Sequence, residues 1–158
     1  MNATIAGFEQ SRVQPPPSAA NQLVIRHVLE VTNRIESHSL NPVASTQAGI
    51  ALQPLPLLGL VTYHYAVGIL PSREIEQELW TNAAFRAVCG FEFPRWQAIR
   101  RFRRLNRAVI HDCLQQTLHQ ASHAGNHPRL SLGETDFSTE AETRICTATW
   151  LDSQEDEP

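Results

Sequence analysis

Lysine is absent from this 158-residue chain, so arginine guanidinium groups supply every permanent side-chain cation. Cysteine is scarce: Cys89, Cys113 and Cys146 are widely spaced and odd in number. That pattern contains neither a close metal-ligand pair nor a disulfide framework, and it sets a reducing cytosol as the expected compartment. Long apolar runs are missing too. The stretch 55–65 is apolar, but Pro54 and Pro56 bracket its start, His64 interrupts it, and it is too short to cross a bilayer. No basic segment leads into an apolar core near the N-terminus, so no signal peptide and no membrane partner are expected. There is no phosphate-cradling glycine loop, nucleophile elbow, zinc-finger spacing or internal repeat.

What the chain does have is a polarity of charge. The formal net charge is -3, yet nearly half of the arginines fall between Arg95 and Arg107. Acidic residues gather at the other end, from Glu134 and Asp136 to Glu157. Partners respond to the local field rather than to the sum.

Helical periodicity is concentrated between residues 60 and 118, punctuated by Gly68, Pro71, Gly90 and Pro94. An all-α fold follows, a small multi-helix domain with a helix-turn-helix-like arrangement and flexible, poorly structured termini. Residues 1–20, with Pro15-Pro16-Pro17, read as a flexible arm. A helical domain is expected over 21–122 and an acidic, mostly irregular tail over 123–158. Within the domain, a first helix over 21–35 starts at Asn21 as N-cap and turns Leu23, Val24, Val28, Val31 and Ile35 inward. A mostly buried helix covers 57–67. Ser72 caps the next, whose inward side is Ile75, Leu79 and Trp80, and a short helix follows over about 82–89. Pro94 opens the arginine-loaded segment, which is one long helix or two with a bend near Asn106. Beyond His119 the period dissolves, and 144–150 suggests a short extended piece.

Guanidinium groups match phosphates, and guanine N7 and O6, with a rigid donor fork, and a helix fits the major groove. Arg95, Arg100, Arg103, Arg104 and Arg107 are therefore the expected DNA contacts, with the preceding helices as platform. Arg101 packs its stem or pairs with an acid such as Glu92 instead. Two other readings stay open: a solvated arginine face neutralised by the acidic tail, and a protein-binding helical module. Catalytic chemistry gains little support. Glu74 and Glu78 have no histidine or third acid in their pattern, and Asp136 and Glu140 lie in a weakly patterned segment. His119, His123 and His127 recur every fourth residue, but Gly125 intervenes and no partnered cysteine or carboxylate completes a metal spacing. Neither metal nor cofactor is expected.

The order Gly68, Ser72-Arg73-Glu74-Ile75-Glu76, Ala84-Phe85-Arg86, Gly90, Pro94 and Arg101-Phe102-Arg103 resembles the N-terminal helical domain of bacterial insertion-sequence transposases, which precedes a DDE nuclease. The resemblance covers residues 57–118. It implies a truncated transposase-like protein whose partner is double-stranded DNA at terminal inverted repeats. Self-association or pairing with full-length transposase is the alternative, and a non-functional relic a further one. After Pro94 the family has an acidic or small polar capping stretch, whereas this chain has Arg95-Trp96-Gln97-Ala98, which removes the expected N-cap. Asp136 stands near the position of the family's first catalytic aspartate. The Gly-Thr-Lys continuation is absent and the remaining acids do not follow, so no nuclease activity is implied.

Overall fold

The computed structural model describes residues 18–44, 51–82, 93–124 and 136–155. Among these the chain is all-α, with six helices: α1 Ala19–Thr32, α2 Pro54–Val67, α3 Ser72–Thr81, α4 Trp96–Leu105, α5 Arg107–His123 and α6 Phe137–Gln154. A single 3-10 turn spans Ser37–Ser39, and the only β feature among the described residues is an isolated bridge between Ala44 and Ala51.

The bundle is built around α2. Pro54 and Pro56 sit in its first turn, where a missing amide proton costs no intrahelical bond. From Leu57 to Ala66 every residue is buried, so α2 has no polar face and must be enclosed by neighbours. α1 and α5 pack along it, with α4 alongside. α1 contributes Val24, Val28 and Val31, and α5 contributes Ile110, Cys113, Leu114 and Leu118. Burial, with Asp112 adding to it, pushes the Cys113 thiol up to about 12, so it behaves as a small apolar core group. No single helix among the described residues is long and apolar enough to cross a membrane.

Helix boundaries follow local chemistry. α1 begins two residues earlier than expected because Ser18, not Asn21, is the cap: Asn21 N donates to Ser18 Oγ at 3.2 Å. α2 stops at Gly68, whose φ of 88° lets Gly68 N and Ile69 N turn back onto Tyr65 O and His64 O. The arginine-rich segment is two helices rather than one. At Asn106 the chain breaks, and the loop after α1 holds the break: Asn41 N donates to Asn106 Oδ1 at 2.7 Å, while Asn106 Nδ2 donates to Asn41 O at 3.0 Å.

Three expectations are corrected. The acidic segment is not mostly irregular. Residues 137–154 form α6, the longest helix described, and 144–150 is helical rather than extended. Ala141, Ile145, Ala148 and Asp152 recur at helical spacing and bury one narrow stripe against the bundle. Trp80 is not an inward residue either: it is 57% exposed and stacks on Phe93. The helix expected over about 82–89 lies outside the described residues except for Asn82, and of the arm expected over 1–20 only 18–20 are described, where they cap and open α1.

Candidate nucleic-acid interface

The arginine helix α4 reaches its position through borrowed caps. Arg95 makes no side-chain cap, as its sequence implied, but Glu76 of α3 supplies the missing carboxylate. Glu76 Oε2 accepts from Trp96 N at 3.1 Å and Oε1 pairs with Arg95 at 3.2 Å. A carboxylate at a helix N-terminus satisfies an orphan amide and complements the helix dipole. So the Ser72–Glu76 element fixes the entry of α4.

At the same time α6 caps both sides of the corner between α2 and α3. Arg144, held by Glu140 at 2.7 Å, donates to Tyr65 O at 2.7 Å and Ala66 O at 2.8 Å. Two turns later Asp152 accepts from Ser72 N at 2.9 Å and from Ser72 Oγ at 2.6 Å. Ser72 is therefore the first residue of α3 rather than its cap; the capping carboxylate comes from α6.

Asp152 also fixes the inner side of α4. Arg103 is 4% exposed, donates to Asp152 Oδ2 at 2.6 Å and to Tyr65 Oη at 3.0 Å. Burial raises the Tyr65 hydroxyl pKa, although the adjacent guanidinium favours its ionised form. Arg103 is thus a buried cation held by Tyr65 and Asp152, rather than one presented on the surface as the expected DNA contacts would be. Arg100 pairs with Glu155 at 2.9 Å, lies 3.4 Å from Asp152 and stacks over Trp96 at 4.2 Å. Arg73 approaches the same indole at 4.7 Å and shares Glu155 at 3.1 Å. Arg107 pairs with Glu142 and donates to Cys146 Sγ at 3.3 Å. The Arg107 guanidinium in turn holds the Glu142 carboxyl below its ordinary range.

What remains outside is a second stripe. At 100° per residue, Gln97, Arg101 and Arg104 fall within about 60° of one another on α4. They lie opposite the buried Ile99 and Phe102. All three are exposed. Arg101 and Arg104 make no ion pair among the described residues, whereas Arg95, Arg100, Arg103 and Arg107 each have a carboxylate partner. Of the five expected contacts, then, Arg104 is presented, Arg95 is exposed but paired, Arg107 is partly buried and paired, Arg100 is half-buried and Arg103 is internal. Glu92, the suggested partner of Arg101, lies outside the described residues. Gln97 was not expected as a contact, though its spacing to Arg101 and Arg104 places the three on one face.

No group of three or more histidine, cysteine or acidic side chains among the described residues is placed to hold a metal. His119 and His123 bring their rings within 4.3 Å of each other, and His127 lies outside the described residues. Asp136 is the N-cap of α6, with Oδ1 accepting from Ser138 N at 3.0 Å, rather than an acid carried on a strand. No family model, curated protein or solved structure matches this chain.

Proposed function

We propose that this chain is a DNA-binding helical module of the kind that precedes the nuclease in insertion-sequence transposases, occupying element-end duplex DNA without catalysing strand transfer itself. The observation that carries this reading is the exposed stripe Gln97, Arg101 and Arg104, whose two guanidinium groups have no carboxylate partner among the described residues. Glutamine matches the adenine edge and arginine the guanine edge in the major groove, and either arginine also suits a backbone phosphate. Glu76 and Asp152 hold the helix behind the stripe, so its side chains are carried on a fixed scaffold. The net charge of -3 does not oppose a local cationic stripe, because salt screens charges beyond about 8–10 Å.

Selection of duplexes from a random library on the full chain tests the reading. Enrichment of a motif with G·C or A·T pairs at fixed positions, bound in a salt-dependent manner, supports it. Recovery of no duplex above background contradicts it.

A second reading rests on the aromatic pair Trp80 and Phe93, stacked at 4.9 Å with both rings exposed. In that reading the module pairs with an intact transposase and leaves DNA to its partner. Co-purification with transposase without duplex binding, abolished by Trp80→Ala, is its signature.

A further inference from the structure

On the side of α4 next to the open stripe, α6 meets the arginines carboxylate for carboxylate. Glu155 takes Arg73 and Arg100, Asp152 takes Arg103, and Glu142 takes Arg107. Only Arg95 is served from elsewhere among these, by Glu76 of α3. The three α6 acids do not stand in the same surroundings. Asp152 is enclosed with Ser72, Arg103 and Tyr65. Breaking that cluster would strand a buried charge. Glu142 and Glu155 lie at the rim, and the side chains of Arg107 and Arg73 that they hold are 42% and 47% exposed. Exposed pairs of this kind contribute little stability and are exchanged readily for another anion.

We infer that Glu142 and Glu155 act as built-in substitutes for DNA phosphates. They occupy Arg107 and Arg73 in the unbound protein and yield them to the duplex backbone on binding. The inference rests on the proposed DNA-binding reading and extends the footprint from the α4 stripe onto the α6 side. The geometry favours exchange over detachment of α6, because the Asp152 cluster and the Arg144 contacts with Tyr65 O and Ala66 O remain in place while the rim pairs open. α6 thereby raises the selectivity of the surface: only a ligand presenting several anions at once displaces both rim carboxylates.

The test measures affinity for a fluorescent duplex with the full chain. Glu142→Gln with Glu155→Gln removes the competing charges and keeps the side-chain shape. Binding is expected to tighten by more than twofold and up to about 30-fold, the equivalent of the two rim pairs no longer broken, while Arg100 loses Glu155 but keeps Asp152 and Trp96. Glu30→Gln with Glu36→Gln changes the net charge equally at carboxylates that pair with Arg26 and His38 instead, and is expected to leave affinity within about twofold. In an Arg107→Ala background the gain from Glu142→Gln is expected to vanish. Equal gains from both glutamine pairs, or a Glu142→Gln gain that survives Arg107→Ala, would overturn the inference. So would unchanged affinity in the α6 variant of a chain that binds DNA, and in that case the stripe reading stands. Absence of binding by the parent chain and by the α6 variant alike overturns both.

Discussion

Asp152 and Ser72, eighty positions apart, share two hydrogen bonds that join the last described helix to the first turn of α3. The same carboxylate neutralises Arg103 inside the bundle. Substituting Asp152 with alanine removes an N-terminal capping group and strands the guanidinium at once. The expected cost is about 3–5 kcal/mol of folding stability. Urea denaturation followed by far-UV circular dichroism measures it, and a loss below about 1 kcal/mol would contradict the role assigned to this residue.

The fold class was legible in the sequence because α2 and the arginine segment carry helical periodicity bounded by glycine and proline. A mostly buried helix could be read over 57–67, and the break near Asn106 stood as one of two alternatives. α6 was not legible. Its inward stripe, Ala141, Ile145, Ala148 and Asp152, has one large apolar residue, two alanines and an acid, so hydropathy gives almost no signal. Thr139, Thr143, Thr147 and Thr149 add β-branched residues that argue for strand. The spacing of four, three and four would have found it. For the candidate site, the arginine cluster was visible but not its division into inner and outer members. That division depends on Asp152, Glu142 and Glu155, which come from the helix the pattern concealed. Gln97 carries no charge, and only its position four residues before Arg101 and seven before Arg104 marks it.

Gly68 occupies a left-handed backbone conformation, φ 88°, and a Cβ there would meet nothing within 4 Å. Gly68→Ala therefore carries a conformational cost with no steric clash, and roughly 1 kcal/mol of destabilisation is expected. A thermal melt would show a modest fall in Tm with the helix content unchanged. An unaltered or raised Tm would contradict this assignment of the turn.

His64 is fully enclosed in α2, with its Nδ1–H donating to Leu60 O at 2.8 Å. Burial lowers its pKa from 6.5 to about 4, partly offset by that carbonyl. Because the folded pKa lies below the unfolded one, the unfolded chain binds the proton first. The contribution is fully present above about pH 6.5 and is lost as pH falls towards about 4. The interval from 6.5 to about 4 corresponds to about 3 kcal/mol. Stability of His64→Gln should lose that part of the slope between pH 6.5 and 4 relative to the parent chain. Parallel pH profiles for the two proteins would exclude this source of acid sensitivity.

The most direct test of the whole account is the salt dependence of duplex binding by the Arg101→Ala, Arg104→Ala double variant. Both side chains are exposed and serve no described ion pair, so folding should be preserved. Affinity at about 0.1 M salt should fall roughly 10- to 100-fold, and the slope of log K against log salt should flatten by about 2. Binding of the same strength and slope as the parent chain would contradict the assignment of this stripe to DNA.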